Sequence, residues 1–516
     1  MIGPTTRKTG AVSTPRAGRQ AALASTLAPV AARALLVGAA LALMACGGSG
    51  GTNSSLLTPA ELKDPASCQG CHPAQFDEWA RSMHAYASDD PVFVAMNQRG
   101  QRETGGALGD FCVKCHAPQA VRDGLTTDGR ELATLPAAER GVTCFFCHSA
   151  ESLDGDHNNP LKQATDGRMR GPFADPVAGA PHLSGYSPLF DGTQAESAAA
   201  CGSCHDIVNQ HQVALERTFQ EWKGTLFSIQ PHGQSCAQCH MAGSDGPAST
   251  VSTRTRRLHN HEFPAVDVAL TPFAGADAQA QRASAQRMLD SVLQGTVCVD
   301  DVSRRITVAL DNVAAGHSWP SGASQDRRAW VELTAYAGDQ VIYRSGLADG
   351  ETAETAADPD LWLIRDCIFD ENREEAHMFW QAASLVGNAL PGPVVPVLTD
   401  QSSFTRTHLK RVYPVAVPYT TTPDRITLQV FLKAIGDDVL TSLVGSHDLD
   451  ASIAAAVPRF QLGGGASLEW TPAKASPFRD ERNNHPLLCV TAGAYTSLNT
   501  ITAAESHARC VPPAPP

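Results

Sequence analysis

Residues Cys68-Gln69-Gly70-Cys71-His72 form a pattern that recurs four more times in the first half of the chain. The spacing suits one porphyrin, because two thiols a short turn apart can form thioethers with its two vinyl groups while the next imidazole falls on the iron. Each copy is therefore a C-x-x-C-H haem attachment motif. Five copies predict five covalent haems c, with the motif histidines as proximal iron ligands. The motifs are Cys68-x-x-Cys71-His72, Cys112-x-x-Cys115-His116, Cys144-x-x-Cys147-His148, Cys201-x-x-Cys204-His205 and Cys236-x-x-Cys239-His240.

A single copy of this pattern could instead be half of a zinc site or a redox-active dithiol. Zinc would need a second ligand pair for every copy, and a redox dithiol does not call for histidine at the next position. Five repeats of the complete motif therefore favour haem.

Length and charge limit the other functional classes. The 516 residues allow two or three domains. The hydrophobic fraction of 42% and the aromatic fraction of 6% suit a protein whose core is partly porphyrin. The net charge of −13 argues against nucleic acid as a partner.

Five of the fifteen cysteines lie outside the motifs. Cys46 stands alone near the start, and Cys298, Cys367, Cys489 and Cys510 lie in the second half. Because haem is attached outside the cytoplasmic membrane, where disulfides persist, these four can form two bridges in any of three connectivities. The alternative is four buried thiols.

The N-terminus is typical of an export signal. Basic residues precede an apolar run from Ala34 to Ala45, which is shorter than the roughly 20 residues of a spanning helix. Leu43-Met44-Ala45-Cys46 resembles a bacterial lipobox, so we expect residues 1–45 to be removed and Cys46 to be lipidated. Ordinary signal cleavage with an incidental Cys46 is the alternative. By resemblance to lipoprotein sorting signals, Gly47 rather than Asp after the cysteine implies an outer-membrane lipoprotein, periplasmic or surface-exposed.

The remaining chain divides by pattern into five segments. Gly/Ser-rich residues after Cys46 predict a flexible tether, and a helix is expected from about Ala276 to Leu293 with Gly295 as its stop. Beyond it, alternating runs such as Ile306-x-Val308-x-Leu310 predict an antiparallel β-sandwich-like domain. The predicted segments are a tether at 46–64, a mostly irregular and α-helical haem domain at 65–265, a connector helix at 266–295, the β-domain at 296–475 and an extension with a disordered tail at 476–516.

A partial internal repeat accompanies the motifs. Phe76-x-Glu78-Trp79-x-x-Ser82 matches Phe219-x-Glu221-Trp222-x-x-Thr225, which suggests a packing device beside a haem in both copies. A continuous helix from Pro73 would carry His84 about 18 Å along its axis from His72. His84 could then not bind the haem that His72 binds, but it could coordinate a neighbouring haem. The second copy has Phe227 where the first has His84.

The second axial ligand of each iron determines what the iron can do. Imidazoles on both faces close it for electron transfer, whereas an open face admits a small molecule. His157, His211 and His232 lie in polar surroundings and are expected at the surface, and one of His259 and His261 is expected to ligate. The candidates are His84, His157, His182, His211, His232, His259, His261 and His317, with Met96 and Met169 as weaker ones.

The residues around the motifs carry a family resemblance. Trp79-x-x-Ser82-Met83-His84-Ala85, Gly141-Val142-Thr143 before the third motif, and Arg170-Gly171-Pro172-Phe173 resemble the multihaem cytochromes of the cytochrome c-552/4 type, over about Asp64 to Pro264. The stretch from Gly316-His317 to Gly322, with Arg328-Ala329-Trp330, is similar to a β-domain that some of these proteins carry after the haems.

The resemblance implies a pentahaem cytochrome c domain with mostly bis-histidine haems. It assigns His84, His182, His261 and His317 as distal ligands, one short of five. Either another histidine supplies the fifth, or one haem is open.

Two functions follow from these observations. The first is a lipid-anchored carrier that passes electrons between redox partner proteins, which include other cytochromes or an extracellular acceptor. The second is an oxidoreductase acting on a small nitrogen or sulfur species at one open haem, although no C-x-x-C-K motif marks a lysine-ligated iron. In a third interpretation the β-domain binds a partner or a solid surface and the haems serve it.

Overall fold

The fold is taken from a computed structural model of the whole chain. It describes residues 56–177, 180–231, 233–273, 275, 277–300, 302, 305–347, 358–393, 408–414, 422–463, 468–480, 486–492, 500–501, 504–505 and 510–514. The predicted signal peptide, Cys46 and most of the predicted tether lie outside these residues.

Short helices separated by loops make up the first half of the described chain. Several motifs form a single helical turn after a capping residue; Thr143 caps Cys144–His148, and Ser235 with Gln238 forms a capping box on Cys236–His240. The α-helices are Pro59–Lys63, Ala66–Gln69, Pro73–Ala80, Met83–Tyr86, Pro91–Glu103, Val113–His116, Pro118–Arg122, Cys144–His148, Ala198–Gly202, Thr218–Lys223 and Cys236–His240. The 3-10 turns are Leu132–Thr134, Ala137–Glu139, Pro188–Phe190, Ala195–Ser197 and Leu226–Ser228.

Four two-stranded sheets lie among these helices. Three are antiparallel, and the pair Arg168–Gly171 and Leu183–Tyr186 is parallel. The other pairs are Ala150–Leu153 with Leu161–Gln163, Ile207–Val208 with Ala214–Glu216, and Gly243–Pro247 with Thr255–His259. The first half therefore has no large sheet within the described residues, and its short elements surround the motifs.

The helix after the first motif is shorter than the continuous helix considered from the sequence. It runs from Pro73 to Ala80, and Ser82 then caps a new helix, Met83–Tyr86, by accepting from the Ala85 backbone N–H. A serine that caps a new helix has extended backbone geometry, which interrupts the first one. The estimate of 18 Å along one axis therefore does not apply to His84.

A longer helix, Ala278–Val292, leads directly into the β-rich second half. Asp277 caps it, and Ala285, Leu289 and Val292 form its buried face. The strand Leu293–Asp300 begins immediately afterwards. Gly295, the expected stop, thus lies within a strand, because strand pairing takes over the backbone two residues earlier.

Among the described residues, two large sheets and one two-stranded sheet form most of the second half, which we call the β-region. The first has seven strands in the order Thr500–Ile501, Ser476–Asp480, Pro486–Thr491, Leu293–Asp300, Arg305–Asn312, His408–Pro414 and Ala504–Glu505. The second has the path Gln340–Ser345, Arg328–Ala337, Arg425–Lys433 and Arg459–Gln461, with Trp362–Ile364 and Leu468–Trp470 paired at its sides. The remaining elements of the β-region are the strands Cys367–Phe369 and Ser384–Val386, the 3-10 turn Phe379–Gln381 and the helices Asp437–Gly445 and Ala451–Ala456.

The two sheets share one apolar core. Val297 and Val308 of the first sheet lie in the same buried cluster as Val331 and Leu428 of the second. Most strand pairs are antiparallel; two short edge pairs, at Ala504–Glu505 and Thr500–Ile501, are parallel. This arrangement agrees with a β-rich C-terminal part built from two packed sheets.

The first sheet continues beyond residue 475, the predicted limit of the β-domain. Ser476–Asp480 pairs with Pro486–Thr491, which pairs with Leu293–Asp300. Disulfides join Cys298 to Cys489 and Cys367 to Cys510, so one of the three possible connectivities is present and both bridges reach into the predicted extension.

The β-region packs closely against the motif-bearing half. Val92 and Leu108 share an apolar cluster with Met378 and Leu440. Arg102 makes a two-bond ion pair with Asp448, both bonds 2.6 Å long. Within the described ranges, no helix combines the length and the apolar character that crossing a membrane requires.

Candidate haem sites

We number the five motifs as sites 1 to 5 in chain order, with His72, His116, His148, His205 and His240 as their histidines. Nine of the ten motif cysteines are free thiols, as thioether formation requires. Cys71 is engaged in a disulfide, which would have to be reduced before it could bond to a porphyrin.

All five motif histidines have one ring nitrogen engaged by the protein. A carbonyl or carboxylate oxygen can only accept, so Nδ1 carries the proton and Nε2 is left with its lone pair for a metal. The Nδ1 partners are the Ala248 carbonyl for His72 (2.7 Å), the Ala87 carbonyl for His116 (3.0 Å), the Arg170 carbonyl for His148 (2.6 Å), the Pro264 carbonyl for His240 (3.0 Å) and the Glu216 carboxylate for His205 (3.4 Å).

Four of these histidines face a second histidine across a uniform gap. A metal–nitrogen bond of about 2 Å on each side and a ring radius of roughly 1 Å place two imidazoles on one metal about 6 Å apart, centre to centre. The residues therefore fit iron between two imidazoles at these four sites. The ring centres are 6.3 Å apart for His72 and His182, 6.3 Å for His148 and His261, 6.3 Å for His205 and His84, and 6.4 Å for His240 and His317.

The facing histidines lie in surroundings that favour the neutral, ligating form. Burial lowers the pKa of His84 and of His261 to about 3, and that of His317 to about 4. Nδ1 of His317 faces the Ser318 carbonyl at 2.7 Å, and Nδ1 of His182 faces the Leu183 carbonyl at 3.2 Å. Neutral imidazole is the metal-binding form.

Site 2 differs from the other four. Within the described part of the chain, the aromatic ring that packs on His116 is that of Phe93, stacked in parallel with 3.8 Å between ring centres. Phe93 fixes the orientation of the imidazole but offers no metal ligand.

The remaining candidate histidines lie elsewhere. His157 is exposed beside Asp156, and His211 is exposed. Nδ1 of His259 is 2.8 Å from the Met241 carbonyl oxygen, while His261 faces site 3. His232 and Cys46 lie outside the described residues. Met96 packs against an apolar cluster between the two halves, and Met169 lies on the strand Arg168–Gly171.

Contacts between motifs give the sites an order in space. Three pairs of thiols from different motifs lie within hydrogen-bond distance of each other: Cys68 and Cys144, Cys115 and Cys204, and Cys201 and Cys236. The Phe263 ring lies 4.3 Å from His84 and 5.8 Å from His261, between the facing histidines of sites 4 and 3. The sites therefore run 1, 3, 4, 5, and site 2 adjoins site 4.

Sequence reasoning missed three contributors to these sites. Phe93 and Phe263 read as ordinary apolar residues, and Glu216 reads as one acid among many. The pairing of each facing histidine with a particular motif was also not readable, because it depends on the path of the loops between them.

Comparisons with known proteins support a haem-binding chain of this kind. The family described as cytochrome c554 and c-prime matches residues 67–149, which contain the first three motifs. No curated protein matches the chain. The crystal structure of a penta-haem cytochrome c552 from Thermochromatium tepidum shares the fold with a TM-score of 0.53 and 19% identity, over 80% of this chain and 98% of that one.

The motifs, the family match and the shared fold together support the class of multihaem c-type cytochromes.

Proposed function

We propose that the chain is a pentahaem cytochrome c that carries electrons through four bis-histidine haems and one haem of different ligation. The observation that carries the proposal is the set of four histidine pairs with ring centres 6.3 to 6.4 Å apart. Haem c supplies an iron that accepts and releases single electrons. The protein supplies the paired imidazoles, which exclude other ligands, and the neighbouring positions of the sites.

The order of the sites supports a linear route. Sites 1 and 3 adjoin through Cys68 and Cys144, and sites 4 and 5 through Cys201 and Cys236. The aromatic ring of Phe263 fills the step between sites 3 and 4. Electrons would enter at one end of this series and leave at the other, and redox proteins are the partners that we propose at both ends.

A lipid anchor would place site 1 towards the membrane. Leu57 donates to the Pro181 carbonyl at 2.8 Å, so the described chain begins next to His182, the histidine that faces His72. About ten residues separate this point from Cys46 and span at most roughly 35 Å when extended. The anchored, exported protein would then exchange electrons with a membrane-bound partner at site 1. Labelled palmitate should enter the wild-type protein and not Cys46→Ala; an unlabelled wild-type protein would refute the anchor.

A second candidate function rests on site 2. His116 has Phe93 rather than a histidine as its ring neighbour among the described residues. If that iron has a free face, it can bind a small nitrogen or sulfur species, and the other four sites would deliver or remove its electrons.

Quantified low-temperature EPR of the oxidised protein separates the two functions. We expect four low-spin haem equivalents, and the fifth equivalent decides between the functions. A fifth low-spin signal that ignores cyanide and nitrite supports a carrier alone. A high-spin equivalent that shifts on adding either ligand supports chemistry at site 2. Fewer than four low-spin equivalents would overturn the proposed ligation.

A further inference from the structure

The internal repeat recurs in three dimensions as well as in sequence. Phe76 and Trp79 have ring centres 5.9 Å apart on the helix Pro73–Ala80, and Phe219 and Trp222 have centres 5.8 Å apart on Thr218–Lys223. These two helices stand about 140 residues apart in the chain. What each helix touches shows that the likeness goes beyond packing.

The two tryptophans bind equivalent points of the backbone. Trp79 Nε1 donates to the Val142 carbonyl at 2.8 Å, and Trp222 Nε1 donates to the Gln234 carbonyl at 2.9 Å. Each acceptor lies two residues before the first cysteine of a motif, Cys144 in site 3 and Cys236 in site 5. The indoles therefore hold the chain at the same register where it enters these two motifs.

The two glutamates bind the opposite sides of the same sites. Glu78 Oε2 accepts from the backbone N–H of His261 at 3.0 Å. Glu221 Oε2 accepts from the N–H of Ser318 at 3.2 Å and from the Ser321 hydroxyl at 2.6 Å, which fixes the loop that carries His317. His261 and His317 are the histidines that face sites 3 and 5.

Neighbouring hydroxyls of the second copy reinforce this loop. Thr225 Oγ1 donates to the Gly316 carbonyl at 3.1 Å, and Thr218 Oγ1 accepts from the Gly322 N–H at 3.0 Å. The loop with His317 belongs to the β-region, so the helix Thr218–Lys223 joins the two halves of the protein at site 5.

We propose that the F-x-E-W-x-x-S/T element is a positioning module that aligns both sides of one haem site: the tryptophan holds the motif, and the glutamate holds the backbone at the distal histidine or at the residue after it. The first copy serves site 3 and the second serves site 5. Glu78 and Glu221 act through His261 and His317 and touch no iron themselves. The inference rests on the proposed bis-histidine ligation.

Single alanine variants of the two glutamates test the module. Glu78→Ala should convert one haem equivalent from its low-spin signal to a shifted or high-spin signal, the same equivalent that His261→Ala removes. Glu221→Ala should act on the equivalent that His317→Ala removes. The double variant Glu78→Ala/Glu221→Ala should affect two equivalents.

Two kinds of control separate positioning from general loss of structure. Gln at position 78 or 221 keeps an oxygen that accepts from the same N–H, so it should restore the wild-type spectrum. Glu103→Ala is the matched control, since within the described residues the Glu103 carboxylate binds the Trp380 indole at 2.9 Å and Arg99, and neither partner lies on a distal-ligand loop. Its five haem signals should not change.

The tryptophans keep the test decisive if an alanine variant fails to accumulate. Trp79→Phe and Trp222→Phe keep an aromatic ring and remove only the N–H, and each should alter the signal of the site that its partner glutamate serves. Mass spectrometry counts the attached haems in every variant.

The inference is overturned if the glutamate and tryptophan variants all show five unchanged signals, or if Glu103→Ala causes the same loss. It is also overturned if Glu78→Ala alters a haem other than the one that depends on His261. A wild-type spectrum with fewer than four low-spin equivalents would instead refute the proposed ligation. The two failures are thus distinguishable.

Discussion

Glu216 sets site 4 apart from the other sites at the scale of single residues. Its carboxylate lies 3.4 Å from Nδ1 of His205, where the other four motif histidines face backbone carbonyls. A charged acceptor makes the imidazole a more basic ligand, and a more basic ligand stabilises oxidised iron. Site 4 should therefore have a lower reduction potential than the same pair of histidines would have without the carboxylate.

Glu216→Gln should raise the reduction potential of one haem by about 50 mV, since a neutral acceptor gives up roughly 1 kcal/mol of hydrogen-bond strength. Potentiometric titration followed by optical and EPR spectra measures the change. Glu196→Gln is the control, because it removes the same charge from an exposed position shortly before the site 4 motif. Equal shifts in both variants would show that long-range charge, and not the contact with His205, sets the potential.

Asp326 makes stability depend on pH. It is 4% exposed, and burial raises its pKa to about 7, against the opposing influence of Arg328, Arg327 and Arg365. In the unfolded chain its pKa is about 4. Between about pH 4 and pH 7 Asp326 is therefore protonated in the folded state and ionised in the unfolded state. The contribution of Asp326 to stability is therefore present below about pH 4 and is lost as the pH rises through 7.

Asp326→Asn should remove this dependence, so the variant should gain thermal stability relative to wild type at pH 8 and not at pH 4. Unfolding temperatures at the two pH values, followed by circular dichroism, measure the effect. Asp339→Asn, in an exposed turn, is the control and should follow the wild-type pH dependence. If Asp326→Asn also kept the wild-type pH dependence of the unfolding temperature, Asp326 would not be its cause.

Local sequence signals predicted individual elements better than the relations between them. Alternating apolar residues correctly indicated strands such as Arg305–Asn312, and the apolar stripe of Ala278–Val292 indicated its helix. Element ends were less predictable. Ser82 interrupts one helix, and strand pairing at Leu293 overrides the glycine expected to end another. Pairings that join distant segments, such as Pro486–Thr491 with Leu293–Asp300, leave no local signal.

The two disulfides join parts of the β-region that are far apart in the sequence. Cys298 and Cys489 join neighbouring strands, and Cys367–Cys510 ties the C-terminal segment to the strand Cys367–Phe369. The bridged cysteines are 191 and 143 residues apart in the sequence. Each bridge therefore closes a long loop and strongly reduces the conformational entropy of the unfolded chain.

Cys298→Ala/Cys489→Ala should lower the free energy of unfolding of the β-region by roughly 2–5 kcal/mol. Denaturant unfolding followed by circular dichroism measures this loss, and mass spectrometry checks that five haems remain attached. Cys367→Ala/Cys510→Ala provides the comparison and should cause a loss of similar size. No loss in either double variant would mean that the apolar core alone determines stability.

At the scale of the whole molecule, the two halves meet at site 5 and in one apolar cluster. The β-region supplies His317 to site 5, and its core shares an apolar cluster with the motif-bearing half. Removing everything after Gly295 would therefore also remove the histidine that faces His240 at site 5. A partner-binding role of the β-region is better tested by substitutions on its outer surface.

The negative charge of the chain should govern encounters with redox partners. The formal charge is −13. Oxidation by a cationic cobalt complex should slow as salt is added, and oxidation by ferricyanide should accelerate, because salt screens attraction in one case and repulsion in the other. Stopped-flow rates from low to physiological ionic strength measure both slopes. Reversed slopes, with the cobalt complex accelerating and ferricyanide slowing as salt is added, would show that a local basic surface directs the encounter.

Under the proposed ligation, the positions of the facing histidines in the chain set the order in which the haem sites can be completed. A chain that emerges from its N-terminus presents His84 before the site 4 motif, so site 4 can close as soon as His205 arrives. Sites 1, 3 and 5 must wait for His182, His261 and His317, which are made later than their motifs. Before His182 has emerged, His84 is the one histidine of these four pairs' distal members that the haems of sites 1 to 3 could bind. If His84 bound one of these early haems, that bond would have to be exchanged before site 4 could close, and site 5 would be completed last, when the β-region brings His317 into place.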